Sequence, residues 1–183
     1  MMADFLVPLV AVGVAELGDK TQLSILLLSS KSAKHSHLLC GVLLAFLAVD
    51  GAAVLAGSWI ITLIPVSYLK WVSAAVFIAF GILTLSGGDR DVEPNRRFKN
   101  SFISGFTFVF MAEWGDKTQV ASALFAAKYN PLMVLVGTMT ALAAVSTCAV
   151  CLGKLVLSRV ERGIMTRVAG VAFLLVGLSF LIL

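Results

Sequence analysis

Two copies of one charged stretch contain the residues of this sequence that could do chemistry. Ala15–Gln22 recurs 97 residues later as Ala112–Gln119, and seven of the eight positions are identical. Each copy lies inside a long apolar segment, at residues 3–30 and 101–128. A charged side chain at the centre of a bilayer costs at least about 2.5–3.5 kcal/mol, so these groups require a functional explanation. We interpret the two copies as the halves of one ion site.

The donor atoms of the two copies indicate which ions would bind. The candidate metal ligands carry carboxylate, hydroxyl or amide oxygens, and they are Glu16, Asp19, Thr21, Gln22, Glu113, Asp116, Thr118 and Gln119. Ligation by oxygen alone suits Mg²⁺, Ca²⁺ or Mn²⁺ and argues against a site built for Zn²⁺ or Cu⁺. Four carboxylates and two lysines leave a net charge of −2, which one divalent cation would neutralise.

The lysines of the motif, Lys20 and Lys117, suggest that protons take part. Each could pair with a motif carboxylate when the ion is absent, because buried lysines and paired carboxylates have readily shifted pKa values. Glu16 and Glu113 are the predicted proton carriers, since they could be both ligand and titrating group. Asp50 is a separate acid within a predicted span. It could line the cavity, take part in proton coupling and charge balance, pair with a lysine or reach an interface.

The spacing of the motif leaves its local geometry open. On a continuous helix, Glu16, Asp19 and Lys20 occupy positions i, i+3 and i+4 and share one face. The second copy has the same spacing. Gly18 and Gly115 either permit a close approach of helices or mark a local break that exposes carbonyl oxygens to an ion.

The composition predicts an all-α, polytopic membrane protein. Of the 183 residues, 60% are hydrophobic and 13% are charged, and the mean hydropathy is +1.00. Such values are not typical of a soluble domain. We predict six transmembrane helices at residues 3–30, 37–63, 67–86, 101–128, 131–157 and 164–183. The expected partners are the lipid bilayer, a divalent cation and protons. Neither nucleic acid nor a resident cofactor is expected, and the oligomeric state stays open.

The sequence also indicates an internal duplication. A slide of 96 residues aligns Gly41 with Gly137, Phe77 with Phe173 and Gly81 with Gly177. We therefore divide the chain into a three-helix repeat at residues 1–86, a cytoplasmic linker at 87–100 and a second three-helix repeat at 101–183. Because three is odd, the second repeat must cross the membrane in the opposite sense. Inverted repeats of this kind occur in many secondary transporters, with the site at the midplane.

The basic residues predict the orientation. Ten of the 14 Lys and Arg residues fall in the connections after the first, third and fifth predicted spans. Lys and Arg are enriched in cytoplasmic loops, so both termini are predicted to lie outside. The first segment has no basic region before it, which favours a retained span over a signal peptide.

The doubled motif Glu-x-Gly-Asp-Lys-Thr, at Glu16–Thr21 and Glu113–Thr118, resembles the GDT1 family of membrane cation transporters. The resemblance covers nearly the whole chain. It implies a multi-pass transporter of Mn²⁺ and Ca²⁺ that exchanges the cation for protons, and it places the acid, lysine and threonine positions of both motifs in the site. A short linker and the lack of a long N-terminal extension favour a prokaryotic plasma membrane.

The predicted function is thus a secondary active exporter of Mn²⁺, and also of Ca²⁺, that works by alternating access. One alternative is export of an organic cation such as an amino acid, although four carboxylates exceed what one ammonium group requires. Another is a passive channel for divalent cations. An intramembrane enzyme is disfavoured, because the sequence offers neither a nucleophile with its base nor a histidine-rich metal site.

Overall fold

The chain is helical throughout its described part. The computed structural model describes residues 2–17, 19–30, 32, 34–63, 65–86, 100–156 and 162–182. Within these ranges the elements are α1 (Met2–Glu16), α2 (Lys20–Ser30), α3 (His35–Leu63), α4 (Val66–Leu85), α5 (Ser101–Glu113), α6 (Lys117–Lys128), α7 (Pro131–Val156) and α8 (Arg162–Ile182). These ranges contain no strand, so the predicted all-α class is confirmed for them.

Asparagine side chains cap two of the helices that frame the second motif. The Asn100 side chain accepts a hydrogen bond from the backbone N–H of Phe102 at 3.0 Å, at the start of α5. Asn130 Oδ1 accepts from the N–H groups of Leu132 and Met133 at 3.1 and 3.2 Å, at the start of α7. These side chains satisfy backbone donors that have no partner within the helix. The caps therefore fix where α5 and α7 begin.

Both copies of the motif interrupt a helix. The first helix ends at Glu16 and the next begins at Lys20, while α5 ends at Glu113 and α6 begins at Lys117. Of the two geometries that the sequence left open, the continuous helix on which Glu16, Asp19 and Lys20 would share one face is therefore not the one present. The same holds for the second copy. The acids instead lie on either side of a break, where backbone groups are free of helical hydrogen bonds.

Gly115 accounts for the break in the second copy. Its φ is +86°, a left-handed conformation that favours glycine and is incompatible with a right-handed helix. A Cβ added there would meet nothing within 4 Å, so close helix packing does not explain this glycine. Of the two interpretations of the motif glycine, the local break is the right one at Gly115. Gly18 lies outside the described residues.

Three helices of the described chain are long and apolar enough to cross a membrane, and they cover His35–Ile60, Tyr68–Leu85 and Pro131–Cys151. They coincide with the second, third and fifth predicted spans. Shorter apolar helices cover Thr21–Ser30, Ser101–Glu113 and Arg167–Leu181. The predicted linker at 87–100 lies outside the described residues except for Asn100.

The two halves of the chain interlock. In the first half, α3 packs against α5 and α6, the broken pair of the second half. In the second half, α7 packs against α1 and α2, and α4 packs against α8. Each half therefore supports the interrupted helix of the other half, which brings the two motifs together.

Glycines make equivalent close contacts between the halves. A Cβ on Gly41 would collide with the backbone carbonyl of Phe102, and one on Gly137 would collide with the backbone carbonyl of Phe5. The glycines are 96 residues apart and the phenylalanines are 97 apart, and these are the offsets at which the sequence aligns with itself. A glycine of the first half thus contacts the second half in the same way as the equivalent glycine of the second half contacts the first.

Candidate cation site

The acids of the site lie at the ends of the interrupted helices. Glu16 and Glu113 are the last residues of α1 and α5, and Asp19 and Asp116 immediately precede α2 and α6. The Asp19 N–H donates to the Glu16 carbonyl at 3.2 Å, and the Asp116 N–H donates to the Glu113 carbonyl at 3.1 Å. The same backbone hydrogen bond is therefore present in both copies. An acid just before a helix is also stabilised by the positive end of the helix dipole.

The turns bring acids of both copies to one point. Glu16, Asp19 and Asp116 each offer a carboxylate oxygen within 4.8 Å of the other two. Oxygen ligands lie about 2.3–2.6 Å from a bound Ca²⁺, so ligands on opposite sides of such an ion are about 5 Å apart. The three oxygens are therefore spaced closely enough to share one divalent cation.

The buried acids have oxygen atoms without hydrogen-bond partners. Glu16 is 0% exposed, and neither of its carboxylate oxygens has a partner in the described structure. Glu113 is 2% exposed, and its Oε1 likewise has no partner there. Buried polar atoms are normally paired, because an unpaired one costs free energy. These orphaned oxygens are atoms that a cation would satisfy.

Threonine hydroxyls organise the second copy. Thr118 Oγ1 donates to Glu113 Oε2 at 3.2 Å and lies 3.4 Å from Asp116 Oδ2. Thr21 of the first copy also lies near the Glu113 side chain. Both threonines are buried, at 6% and 1% exposure for Thr21 and Thr118. Their predicted place beside the acids is observed, and a hydroxyl that donates to an acid still has lone pairs for an ion.

A lysine of one copy contacts an acid of the other. Lys117 Nζ lies 3.4 Å from Asp19 Oδ1, with the side chains 10% and 13% exposed. The predicted pairing of a motif lysine with a motif carboxylate is thus present, and it crosses between the halves. The side chain of Lys20 lies outside the described residues.

The glutamines bridge to neighbouring helices. Gln119 Oε1 accepts from the Gly115 N–H at 2.6 Å, and its Nε2 donates to the Val49 carbonyl at 3.4 Å. Gln22 is fully buried, and its Oε1 accepts from Ser146 Oγ at 3.5 Å. Their role as metal ligands stays a prediction. In the described geometry, Gln119 links the second helix break to α3, and Gln22 links the first helix break to α7.

Asp50 lies at the edge of this cluster. It is 2% exposed in the middle of α3, and Ser122 Oγ donates to its Oδ1 at 2.7 Å. Asp50 interacts electrostatically with Glu113 and Asp116. Its described hydrogen-bond partner is a serine of α6, and no lysine pair with it is described.

Two serines of this region were not among the predicted site residues. Ser122 bonds Asp50, and Ser146 bonds Gln22. Ser122 is three residues after Gln119, so both lie on one face of α6, and that spacing is the signal that could have identified it. Ser146 occupies the repeat position of Asp50, which is the corresponding signal in the second half.

Within the described residues, helices of membrane length and a buried cluster of acids at paired helix breaks are typical of a membrane protein with a candidate cation site. Residues 4–91 and 101–183 match the family profile described as divalent cation/proton antiporter GDT1. The chain belongs to the GDT1 family, which is a family of transporters and not a class of enzymes.

Three relatives with descriptive names agree with this assignment. The chain is 32% identical over 181 residues to a Vibrio cholerae protein named "Putative manganese exporter", an alignment that covers 98% of this chain and 90% of the relative. It is 27% identical to a GDT1-like protein of Synechocystis, with 96% and 95% covered. It is also 27% identical to GDT1-like protein 5 of Oryza sativa, with 90% and 88% covered. No solved structure matches the chain.

Proposed function

We propose that the protein is a secondary active exporter that moves Mn²⁺, and also Ca²⁺, in exchange for protons by alternating access. The observation that carries the proposal is the convergence of Glu16, Asp19 and Asp116 within 4.8 Å, because the acids come from both halves. A site shared by two halves can change its access when they move relative to each other. The name of the Vibrio cholerae relative supports Mn²⁺ as the first ion to test.

The proposed architecture is six membrane spans in two inverted repeats, residues 1–86 and 101–183, around a midplane site. Each broken pair, α1 with α2 and α5 with α6, counts as one span. The reciprocal contacts of Gly41 and Gly137 support the repeat, and so does the exchange of helices between the halves. Interrupted helices at an ion site are a recurring feature of transporters with inverted repeats.

Proton exchange is proposed to use Glu16 and Glu113. Both are buried, and both have oxygens that a cation or a proton would satisfy. In this scheme the cation displaces protons from these acids on one side of the membrane, and protons displace the cation on the other. While no cation is bound, the charge of the site is balanced by Lys20, Lys117 and Asp50.

The proposed location is a prokaryotic plasma membrane with both termini outside. In that orientation the start of α3 is cytoplasmic, and Ser36 in its first turn is exposed. A single cysteine at this position, with the three native cysteines replaced, should react with a membrane-impermeant thiol reagent only after the cells are opened. Reaction in intact cells would reverse the proposed orientation.

The function is tested with purified protein in proteoliposomes that have an acidic interior. Mn²⁺ should enter as protons leave, and Ca²⁺ should be compared under the same gradient. Uptake should stop when an ionophore collapses the pH gradient, and it should be lost in Asp19→Asn and Asp116→Asn. Flux of Mn²⁺ down its own gradient without proton movement would indicate a passive channel. If neither metal were transported, export of an organic cation would become the favoured function.

A further inference from the structure

The position of α6 determines the geometry of the second motif. The helix begins at Lys117, directly after Asp116, and its first turn carries Thr118 and Gln119. Thr118 donates to Glu113 and lies within hydrogen-bond distance of Asp116. A shift of the start of α6 would therefore move several donor atoms of the cation site at once.

Two side-chain hydrogen bonds dock the start of α6 on α3. Gln119 Nε2 donates to the Val49 carbonyl at 3.4 Å, and Ser122 Oγ donates to Asp50 Oδ1 at 2.7 Å. The second bond is the shorter, and its length is typical of a hydroxyl that donates to a carboxylate. Such bonds are roughly twice as strong as those between neutral groups. The Asp50–Ser122 contact is therefore the stronger of these two bonds between α6 and α3.

A close backbone contact between α3 and α6 lies next to these hydrogen bonds. A Cβ on Gly57 of α3 would collide with the backbone of Ala123, the residue after Ser122. The helices thus touch at Asp50 and Gly57 of α3, which contact Ser122 and Ala123 of α6. Asp50 and Ser122 are 2% and 0% exposed, so water does not compete for their hydrogen bond.

The bond between Asp50 and Ser122 is present in one half only. The repeat position of Asp50 is Ser146 and that of Ser122 is Ile25. In the first half, α2 is held to α7 by neutral contacts, Ser146 with Gln22 at 3.5 Å and Ser29 with the Val150 carbonyl at 3.1 Å. The shorter bond, to a carboxylate, is thus confined to the helix that follows Asp116.

We propose that Asp50 and Ser122 are positioning residues that fix α6 against α3 and thereby make the cation site favour Mn²⁺ over Ca²⁺. The physical reason is the different tolerance of the ions. The small Mg²⁺ demands near-ideal octahedral geometry, whereas Ca²⁺ accepts irregular coordination by flexible ligands. Mn²⁺ lies between these ions in size, so we expect it to tolerate displaced ligands less well than Ca²⁺ does. Loosening α6 should weaken Mn²⁺ binding more than Ca²⁺ binding. This inference rests on the proposed cation site, but not on the direction or proton coupling of transport.

The test measures binding without transport. Of the three tryptophans, Trp114 lies inside the second motif, so Trp59→Phe and Trp71→Phe leave one fluorescent reporter beside the site. Mn²⁺ is paramagnetic and should quench Trp114, and Ca²⁺ is measured by its competition with Mn²⁺. The full chain is used in nanodiscs. Thermal unfolding of each variant shows whether it is folded.

Ser122→Ala should raise the Kd for Mn²⁺ about tenfold, the scale expected from one hydrogen bond to a charged group, and raise the Kd for Ca²⁺ less than threefold. Ser122→Thr keeps the hydroxyl and should restore the ratio of the two constants. Asp50→Ala also removes a charge, which affects both ions, but it should lose as much discrimination between Mn²⁺ and Ca²⁺ as Ser122→Ala does. The double variant should lose no more discrimination than either single variant, because both lose the same bond. Ser179→Ala is the control, since it removes a hydroxyl bonded within α8.

Several results would overturn the inference. One is an unchanged Kd for Mn²⁺ in folded Ser122→Ala, and another is an equal loss for Mn²⁺ and Ca²⁺. Additive losses of discrimination in the double variant would also contradict it, since the two residues would then act separately. Absence of Mn²⁺ binding in the unchanged protein would overturn the cation site itself, and this inference with it. Binding without proton-coupled transport would contradict only the proposed exchange.

Discussion

Lys117 Nζ of the second motif lies 3.4 Å from Asp19 Oδ1 of the first motif. Asp19 is also one of the three acids whose oxygens converge. The same carboxylate is therefore within reach of an ammonium group and of a cation at the converging oxygens. A lysine in this position neutralises part of the site when the ion is absent, and it competes with the ion for Asp19.

Replacing Lys117 by Gln should therefore change affinity and turnover in opposite directions. Without the competing ammonium group, the KM for Mn²⁺ should fall severalfold. The maximal rate should fall as well, because the ion is released less readily from a more negative site. Initial rates of Mn²⁺ uptake into proteoliposomes measure both values. Lys70→Gln, which removes a lysine outside the motifs, should leave both unchanged, and a raised KM in Lys117→Gln would contradict competition.

Glu16 should be a residue that lowers stability in the absence of metal. Its two carboxylate oxygens are buried without partners. When Glu16 holds neither a cation nor a proton, it is an unpaired buried charge, which is unfavourable. Glu16→Gln should therefore raise the unfolding temperature of the metal-free protein, by roughly 2–4 °C for each kcal/mol gained. It should also abolish the further stabilisation that Mn²⁺ gives by binding the folded state.

Glu113→Gln is the matched comparison for this effect. Oε2 of Glu113 already accepts from Thr118, so its replacement should raise the unfolding temperature less than Glu16→Gln does. Differential scanning fluorimetry with and without Mn²⁺ measures both variants. A fall in the unfolding temperature of metal-free Glu16→Gln would contradict the assignment of unpaired charge to this residue.

The conformation of Gly115 predicts a loss of function from a single methyl group. Its φ of +86° makes alanine unfavourable by about 1–2 kcal/mol, although the added Cβ would touch nothing. Gly115→Ala should therefore shift the backbone between Glu113 and Asp116 and reduce Mn²⁺ transport at least about tenfold, since small misplacements of ligands have large effects.

Gly51→Ala is the control for Gly115→Ala. A Cβ at Gly51 also meets nothing within 4 Å, and the residue lies inside α3 without a positive φ. Alanine is favoured over glycine in a helix, so this variant should transport normally and be at least as stable. If both variants transported normally, the geometry of the break would not matter for the site.

The sequence predicted the features of the site that depend on residues close together in the chain. The doubled motif was sufficient to predict the acids of the site, because ionisable groups in apolar segments need a function. It left open whether Gly115 marks a break, since one residue pattern fits both a glycine packing contact and a left-handed turn. The structure decides this by the value of φ.

The contacts between the halves were beyond prediction. Lys117 was expected to pair with a carboxylate, but the sequence does not say that the partner would be Asp19 of the other copy. The bond between Ser122 and Asp50 likewise depends on α6 packing against α3. Hydrophobic periodicity shows which face of a helix is buried, and it does not show which helix covers that face.

The contact between Ser32 and Ser101 tests whether the two halves move relative to each other. Ser32 follows α2 in the first half, Ser101 begins α5 in the second, and their hydroxyl oxygens are 2.8 Å apart. Sulfur atoms in these positions would be close to the distance of a disulfide, about 2.05 Å. The three native cysteines, Cys40, Cys148 and Cys151, are free and exposed, so they are replaced first.

Ser32→Cys with Ser101→Cys should form a disulfide under mild oxidation and lose Mn²⁺ transport, because the link ties the two halves at one end of α2 and α5. Reduction should restore transport, and each single variant should be insensitive to oxidant. Binding of Mn²⁺, read from Trp114, should persist in the linked protein, since the site does not include these serines. Full transport with the disulfide formed would mean that α2 and α5 stay together through the cycle, and the movement that alternates access would have to lie elsewhere in the helix pairs.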